Sequence, residues 1–364
     1  MSDSRENQVL QALATVQDPD LHRDIVALGF VKKLTIDGDD VSFEIELTTP
    51  ACPVKDLMKS QAEEALRNLA WPKNISISMT ASVRATSDPA DALTIKNIVS
   101  VASGKGGVGK STVALNLAFA LAKTGTSVGI LDADLYGPSI PHMLGIQDKK
   151  PETTTIEGRQ RIMPVECRGV KVMSMGFLVE VDRPLIWRGP MLHGALQQFF
   201  SEVEWGDLDY LIIDLPPGTG DVQLTLAQKI KGSSAVLVST PQDVAMIDAR
   251  KALNMFRQVN VPVLGVVENM SGFVCPHCGE ETAIFGSDGA KKWAEREGLR
   301  FLGAIPIDLS VRVHGDDGIP AVLAEDTNPN VRRAIQSTAE QTAAELSRIH
   351  LTQPAPGALE LHND

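Results

Sequence analysis

A glycine-rich segment with two lysines is the part of the chain whose residue types and spacing best suit chemistry. Residues 104–111 run Gly-Lys-Gly-Gly-Val-Gly-Lys-Ser and satisfy the phosphate-loop pattern G-x-x-x-x-G-K-[S/T]. Glycines let backbone N–H groups converge on phosphate oxygens, and the start of the next helix adds the positive end of its dipole. Lys110 is expected to contact the β- and γ-phosphates, and the Ser111 hydroxyl to bind Mg²⁺. The segment therefore predicts a nucleotide site.

The flanking elements have the pattern that positions such a loop. The apolar run Ile98–Ala102 predicts a buried strand before it, and residues 112–123 predict a helix after it. Two further apolar segments end in carboxylates, the first in Asp132 and Asp134 and the second in Asp214. Ligands gather at the carboxyl ends of strands in a parallel sheet, so these carboxylates are expected beside the loop. Asp214 has the form of a Walker B aspartate and is predicted to hold Mg²⁺.

A second chemical motif is Cys275-Pro276-His277-Cys278. The chain has four cysteines, and no others have a paired spacing, which argues against a disulfide scaffold. The sequence shows no positively charged, apolar N-terminal segment before a small-residue cleavage site, so we expect a cytoplasmic location. In that compartment a C-x-x-C motif is a metal site or a redox site.

Three interpretations of this motif compete. A redox dithiol needs a helix that begins at the first cysteine, whereas the surrounding residues predict a loop or hairpin. Half of a zinc knuckle and half of an iron–sulfur site both lack ligands, because each metal centre needs four and one chain offers two. Two chains related by a two-fold axis would supply four thiolates for either metal. The residues alone therefore favour a dimer and leave the metal open.

Lys105 connects the loop to a superfamily. The string at residues 104–112 resembles the deviant Walker A motif of the MinD/ParA/nitrogenase-iron-protein superfamily of ATPases. The resemblance implies an ATP-sandwiched homodimer in which Lys105 contacts phosphates, often across the subunit interface. It also implies that Asp134 orients the attacking water, and that Asp132 helps to position the metal or its waters.

The same resemblance supplies the full set of expected nucleotide contacts. Asn269 matches the residue that contacts adenine, and Pro306 lies in the segment that packs on the base. Catalysis is expected to involve Lys105, Lys110 and Asp134. The expected nucleotide-binding residues are Gly104, Lys105, Gly106, Gly107, Val108, Gly109, Lys110, Ser111, Thr112, Asn269 and Pro306, and the expected Mg²⁺ residues are Ser111, Asp132 and Asp214.

Several separate motifs narrow the resemblance to the Mrp/ApbC family of iron–sulfur cluster carrier ATPases. They are DADLYGPS at residues 132–139, WRGPM at 187–191, DLPPGTGD at 214–221, ENMSGF at 268–273 and the C-x-x-C motif. The match spans about residues 96–345 and implies that Cys275 and Cys278 hold a labile bridging cluster, expected to be [4Fe–4S]. A donor would supply the cluster and apo-proteins would receive it. ATP hydrolysis is expected to be slow and coupled to loading or release.

The chain is expected to have two unequal domains. The strings DPDL, LGFV and TTPACP near the N-terminus resemble a small α+β domain shared with iron–sulfur targeting factors. We assign residues 1–85 to this domain, 86–95 to a linker, 96–350 to the ATPase and 351–364 to a disordered tail. The ATPase is predicted to be an α/β fold with a mostly parallel, doubly wound sheet. Cys52 has either a cluster-handling role or a structural one.

Charge and the lack of a long apolar run disfavour DNA-binding and membrane-binding members of this superfamily. The chain has 34 Lys and Arg against 46 Asp and Glu, a net charge of −12, and no basic block. DNA binding depends on phosphate neutralisation, so nucleic acid is not an expected partner. The sequence contains no apolar run of about 18 residues, the length needed to span a bilayer, and no membrane partner is expected. The alternative hypothesis is a MinD/ParA-type positioning or scaffold ATPase whose C-x-x-C motif holds structural zinc.

Overall fold

The computed structural model describes residues 2–19, 21–83, 95–134, 137–177, 199–230, 232–275, 277–278 and 280–352. The chain divides into two compact units, one of residues 1–84 with 343–364 and one of residues 85–342. The sequence division placed residues 343–350 in the ATPase, whereas they group here with the first unit. The linker up to residue 94, the motif at 187–191, Pro276 and the tail from residue 353 lie outside the described residues.

The first unit contains a small three-stranded sheet with two helices. Its elements are α1 Ser2–Leu13, β1 Gln17–Asp18, β2 Arg23–Asp24, β3 Val31–Asp37, β4 Asp40–Leu47, α2 Lys55–Arg67 and β5 Asn74–Ala81. The central strand β4 pairs antiparallel with β3 and parallel with β5. Alternate residues of β4 are buried, and Met58, Ala62 and Leu66 bury one face of α2 at helical spacing. These side chains belong to one apolar cluster.

The second unit is built on a sheet with nine strands among its described residues. Its first elements are β6 Ile95–Ala102, α3 Lys110–Ala122, β7 Val128–Asp132, α4 Ile140–Met143, β8 Glu152–Ile156, β9 Arg159–Met163, β10 Val165–Cys167, β11 Val170–Ser174 and β12 Leu208–Asp214. The later ones are α5 Asp221–Lys229, β13 Ser233–Ser239, α6 Asp243–Gln258, β14 Val263–Val274, β15 Glu281–Thr282, α7 Gly289–Glu297, β16 Phe301–Ile307 and α8 Leu309–Asp316. The last helix, α9 Pro329–Thr352, belongs to this unit up to residue 342 and to the first unit from residue 343.

The sheet has the mostly parallel arrangement that the sequence predicted. Its order is β10-β11-β7-β12-β6-β13-β14-β15, with β16 also paired to β14. Only β10 and β15 pair antiparallel to their neighbours, β11 and β14, among these described strands. Helix α3 packs on β6, β7 and β12, while α6 and α7 pack on β14. The predicted α/β fold class, with a small α+β domain before it, is confirmed.

Strand order brings the predicted functional segments together. β12 lies between β7 and β6, and Asp214 is the register partner of both Asp132 and Val101. The phosphate loop therefore leaves the same edge of the sheet at which both carboxylates end. This edge is formed by near-continuous apolar strands that are buried on both faces, as parallel strands usually are.

The core of the first unit gives a matched test of its packing. Met58→Ala is expected to lower the free energy of unfolding of this unit by about 2–5 kcal/mol, because the Met58 side chain is fully buried. Leu57→Ala, at an exposed neighbour (51 %), should change it by no more than about 0.5 kcal/mol. Native-state hydrogen exchange of the β4 and α2 amides measures both values. Equal losses in the two variants would contradict the assigned core.

Candidate nucleotide site and thiol hairpin

The phosphate loop is held close to two neighbouring elements by its glycines. Gly107 and Gly109 have φ angles of +82° and +81°, in the left-handed region that favours glycine. A Cβ atom on Gly109 would lie 2.2 Å from Asn269 Nδ2, and one on Gly104 would lie 2.1 Å from the carbonyl carbon and oxygen of Asp248. Larger residues at these two positions would push β14 or α6 away from the loop.

The Lys110 ammonium lies among acidic side chains at the start of α3. Its Nζ donates to Asp214 Oδ1 at 2.6 Å and to Ser111 Oγ at 3.3 Å. Asp134 Oδ2 lies 3.7 Å from the same nitrogen. Lys110, Asp134 and Asp214 are all buried. Four of the residues predicted from sequence to serve phosphate chemistry therefore meet at one point.

Burial dominates the electrostatics of the two strand-end carboxylates. It raises the pKa of Asp132 to about 7, and the negative charge of Asp214 adds to that rise. Burial also raises the pKa of Asp214, while the Lys110 ammonium opposes the rise. The two side chains are fully buried. The site thus concentrates negative charge around a single ammonium group.

Asp132 is a structural organiser in this structure. Asp132 Oδ1 accepts a hydrogen bond from the Asp134 amide at 3.2 Å. Asp132 Oδ2 accepts from the Ile140 amide at 3.1 Å and from Ser174 Oγ at 3.0 Å. The Ser174 hydroxyl in turn accepts from the Gly176 amide at 2.9 Å. Asp132 therefore ties the segments after β7 and β11 together and fixes the backbone that presents Asp134.

Ser174 was missed in the sequence analysis. It ends a strand of the same sheet, next to β7, and is fully buried. A serine at the end of an apolar strand is a candidate only if that strand lies beside β7. The sequence does not give the strand order, so the pairing of β11 with β7 could not be known.

The residues at this point fit a magnesium ion. Asp214 Oδ2 is buried and has no hydrogen-bond partner in the described part of the chain, so it retains a free carboxylate oxygen. The Ser111 hydroxyl lies within hydrogen-bond distance of Lys110 Nζ, which binds the other Asp214 oxygen. Carboxylate and hydroxyl oxygens, completed by phosphate and water, are the ligands that Mg²⁺ takes in nucleotide sites.

Lys105 is half-buried in the loop. Its carbonyl oxygen accepts a hydrogen bond from Ser103 Oγ at 2.9 Å, and the Ser103 carbonyl accepts from the Gly218 amide at 3.0 Å. Among the described side chains none forms an ion pair with its ammonium group. The segment after β12, which contains Gly218, is thus bound directly to the phosphate loop.

A cavity of about 540 Å³ opens beside the start of α3. Gly109 and Thr112 line it from the loop, and the two predicted base contacts, Asn269 and Pro306, line it from β14 and β16. Asn269 Nδ2 donates to the Val108 carbonyl oxygen at 2.9 Å, so this side chain joins the cavity to the loop. Four of the predicted nucleotide residues, Gly109, Thr112, Asn269 and Pro306, thus line one cavity.

Other residues of the cavity wall carried no recognisable signal in the sequence. Asn116 is the exception, because a polar residue stands there in an otherwise apolar helix. Its amide donates to the Thr112 carbonyl at 2.9 Å and its oxygen accepts from the Val322 amide at 3.0 Å. The further lining residues include His142, Met143, Phe285, Val311, Arg312 and Ile335.

The C-x-x-C motif lies at the tip of a hairpin. β14 and β15 pair antiparallel, and the Cys275 amide donates to the Glu280 carbonyl at 2.9 Å to close the loop. Cys275 is half-buried and Cys278 is exposed. Hydrogen bonds from the Cys278 and His277 amides and from the Cys278 thiol lower the pKa of the Cys275 thiol. The hairpin agrees with the loop expected from sequence, and its described residues do not form the helix that a thioredoxin-like dithiol needs.

The described residues of one chain do not form a complete site of protein ligands for a metal ion. Among the described residues, no group of three or more His, Cys, Asp or Glu side chains could hold a metal ion. Cys167 is buried in β10, and burial raises the pKa of its thiol. Cys52 is half-buried before α2. No helix in the described ranges is both long and apolar enough to cross a membrane.

The parallel sheet, the phosphate loop and the strand-end aspartates define the second unit as a P-loop NTPase. Residues 94–343 match the family model described as NUBPL iron-transfer P-loop NTPase, and residues 6–79 match the model described as iron-sulfur cluster assembly protein. The chain belongs to this iron-transfer family of P-loop NTPases. The resemblance to iron–sulfur carrier ATPases drawn from the motifs is thereby confirmed.

Two relatives that align with nearly the whole chain are both named iron-sulfur cluster carrier protein. The chain is 48 % identical to the iron-sulfur cluster carrier protein of Deinococcus radiodurans, over 93 % of this chain and 95 % of that one. It is 43 % identical to the carrier protein of Synechocystis, over 94 % and 98 % of the two chains. A nucleotide-binding protein from Archaeoglobus fulgidus, solved with ADP, is 42 % identical with a TM-score of 0.57 over 66 % of this chain and 91 % of that one.

A pair of loop glycines tests the loop geometry without nucleotide. Gly104→Ala is expected to lower the stability of the second unit by about 1–3 kcal/mol, because its Cβ would overlap the Asp248 backbone. Gly106→Ala places its Cβ in open space and should leave stability within about 0.5 kcal/mol. Thermal unfolding of the nucleotide-free variants measures the difference. A larger loss in Gly106→Ala would show that the loop is packed differently.

Proposed function

We propose that this protein is an ATP-dependent iron–sulfur cluster carrier that works as a homodimer. Two C-x-x-C motifs, one from each chain, hold a bridging cluster, and the state of the nucleotide controls its loading and release to apo-proteins. The family assignment supports the carrier role, and the phosphate loop with its cavity supports ATP as the nucleotide. A cytoplasmic location follows from the free thiols that the task requires.

The observation that carries this proposal is the path of one strand. Asn269, which hydrogen-bonds the phosphate loop, and Val274, which directly precedes Cys275, both belong to β14. Cys275 follows Asn269 by six residues, so at most about 20 Å of chain joins the loop contact to the first thiol. A displacement of the loop on nucleotide binding would act on Asn269 and move the hairpin that carries the thiols. The strand therefore supplies a direct mechanical link between the two sites.

The roles at the nucleotide follow from the positions of the side chains. Lys110 would bind the β- and γ-phosphates, the Asn269 and Pro306 cavity would take the adenine, and Asp134 would orient the attacking water. Ser111 and Asp214 would hold Mg²⁺, which neutralises phosphate charge when bound. Asp132 would position Asp134 by accepting a hydrogen bond from the backbone amide of that residue. Lys105 would reach the phosphates of the partner chain in the ATP-bound dimer.

The cargo site has the chemistry of a transfer site. Thiolates are the ligands of iron–sulfur clusters, and the lowered pKa of Cys275 favours its thiolate. Two chains supply the four thiolates of a [4Fe–4S] cluster. The exposed Cys278 leaves the cluster open to attack by the thiols of an acceptor. The N-terminal domain, which matches an iron–sulfur assembly family, would contact the donor or the acceptors.

Anaerobic reconstitution with iron and sulfide tests the cargo site. The wild type is expected to bind about four iron and four sulfide per dimer with a broad visible absorption band. The Cys275→Ser/Cys278→Ser double variant should lose both, because no other thiolates lie at the hairpin. Cys52→Ser is the matched control and is expected to retain the cluster.

The same measurement separates the alternative function. About one zinc per dimer, without a stable chromophore, would favour a positioning ATPase with a structural zinc site. Full iron and sulfide in the double cysteine variant would overturn the assignment of the thiols. Analysis of zinc, iron and sulfide in the purified dimer distinguishes these outcomes.

Lys105 tests the dimeric ATPase. Lys105→Gln is expected to lower kcat for ATP hydrolysis by at least about 100-fold, because a cation supplied to the transferred phosphate contributes factors of this order. Nucleotide affinity should change by less than about threefold. Lys123→Gln, at an exposed lysine after the far end of α3, is the control and should leave kcat unchanged. Steady-state ATP hydrolysis measures kcat in both variants. An unaltered kcat in Lys105→Gln would remove this lysine from the mechanism.

A further inference from the structure

The thiol hairpin begins and ends at neighbouring points of the second unit. β14 contains Glu268 and Asn269 and ends one residue before Cys275, and the chain comes back through β15 to the start of α7 at Gly289. Residues 270–287, which we call the thiol segment, lie between these points and include both cysteines of the motif. How closely the thiols follow the nucleotide site therefore depends on both ends of the thiol segment.

A buried glutamate joins the two ends. Glu268 is 2 % exposed, and its Oε2 accepts a hydrogen bond from the Ala290 amide at 2.7 Å. The Asp288 amide also donates to this carboxylate. Glutamate is almost never buried so completely unless it is paired. Here its partners are two backbone amides directly after the thiol segment, so β14 is bound to the point where the chain returns.

The Ala290 amide belongs to the first turn of α7, which has no side-chain cap of its own. Asp288 precedes the helix with a positive φ of 56°, and its side chain forms no capping hydrogen bond. The residue before a helix usually accepts such a bond from the second or third amide. Glu268 accepts it from β14 instead, where the positive end of the helix dipole favours a negative charge. Burial raises the pKa of Glu268, and the Ala290 amide opposes that rise.

The start of α7 is also packed against the segment that follows β13. A Cβ atom on Gly289 would lie 2.0 Å from the Pro241 carbonyl oxygen, so a larger residue could not occupy this position without displacing one of the two segments. Pro241 is itself buried. The first turn of α7 therefore has a fixed place on the sheet, and Glu268 attaches β14 to that place.

We infer that Glu268 is a positioning residue that couples the nucleotide site to the thiols, because it fixes the returning end of the thiol segment beside the residue that contacts the phosphate loop. This inference rests on the proposed function, in which β14 links the two sites. Asn269, which binds the Val108 carbonyl, passes a displacement of the loop to the outgoing end. With the returning end attached to Glu268, the thiol segment moves as one body with β14. Without that attachment, the segment absorbs the displacement by deforming.

Cluster release with and without nucleotide tests this coupling. The reconstituted full-length protein is mixed anaerobically with the iron chelator bathophenanthroline disulfonate, and the rate of cluster loss is measured without nucleotide and with saturating Mg²⁺ and ATP. In the wild type the two rates are expected to differ by at least about fivefold, the low end of allosteric coupling between sites. In Glu268→Ala they should differ by less than about twofold. A wild-type ratio in Glu268→Ala would overturn the inference.

The ratio of the two rates separates coupling from a purely structural role. Loss of a helix cap alone would change both rates by the same factor and leave their ratio at the wild-type value. Glu297→Gln is the matched control, since it removes a carboxylate at the other end of α7 that binds Arg250 at 3.2 Å and Arg257 at 3.3 Å. This variant is expected to keep the wild-type ratio. An equal loss of the ratio in both variants would contradict a specific role for Glu268.

Hydrogen exchange gives a second measurement that needs no cluster. The Cys275 amide donates to the Glu280 carbonyl and reports whether the hairpin is closed. AMP-PNP with Mg²⁺ is expected to change the exchange rate of this amide by at least about fivefold in the wild type and by less than about twofold in Glu268→Ala. An equal response in the two proteins would overturn the coupling.

Folding of the variants is checked by thermal unfolding. If Glu268→Ala does not fold, Glu268→Gln keeps the size of the side chain but has one acceptor oxygen, and the ratio of release rates is expected to fall by at least about twofold. An unchanged ratio in Glu268→Gln would then overturn the inference.

Failure of the inference and failure of the carrier function give different results. Wild-type protein that takes up no cluster would overturn the carrier function, and exchange of the Cys275 amide would still decide the role of Glu268. Cluster uptake in the wild type, with no effect of nucleotide on that amide, would overturn the role of Glu268 and leave cluster binding intact.

Discussion

The buried ion pair between Lys110 and Asp214 is the interaction on which the nucleotide site depends. Parallel strands deliver their final residues to one edge, so Asp132 and Asp214 become register partners whatever their mutual repulsion. Burial raises the pKa of Asp132 to about 7, and the nearby charge of Asp214 adds to that rise. A single ammonium group at the start of α3 offsets part of it. The loop conformation, the strand edge and the first turn of α3 are thus joined through one contact of 2.6 Å.

A second constraint is the continuity of β14. Its register with β16 becomes irregular between Asn269 and Phe273, and Met270 has a positive φ of 58°. The strand therefore leaves the regular sheet just after it passes the phosphate loop and goes on to form the hairpin with β15. Backbone strain of this kind is tolerated where the surroundings hold it in place. Here the surroundings are the nucleotide cavity on one side of Met270 and the thiols beyond it.

Much of this architecture could be predicted because each motif has local physical requirements. The glycine spacing of residues 104–111 dictates a phosphate loop, and an apolar strand that ends in a carboxylate predicts Asp132 and Asp214 at the sheet edge. Strand order is a long-range property, so the neighbour that carries Ser174 could not be predicted. The cavity wall is assembled from residues of α3, α4, β14, β16, α8 and α9, and outside the phosphate loop and the segments around Asn269 and Pro306 they had no recognisable motif. The partner of Lys110 before nucleotide binding was also beyond the sequence, because motifs describe the occupied state.

The geometry of the thiols favours the proposed carrier over a structural metal site. Structural zinc sites are closed by four ligands within one fold and contribute directly to its stability. The described hairpin has two register pairs, Phe273 with Thr282 and Val274 with Glu281, and places Cys278 in solvent. A metal centre here would be attached to the edge of the sheet and would leave the core of the domain unchanged when it departs. In the proposed dimer each chain contributes two thiolates, so separating the chains would halve the ligands at once. Nucleotide-dependent closure of the proposed dimer would therefore be a direct physical means of releasing its cluster.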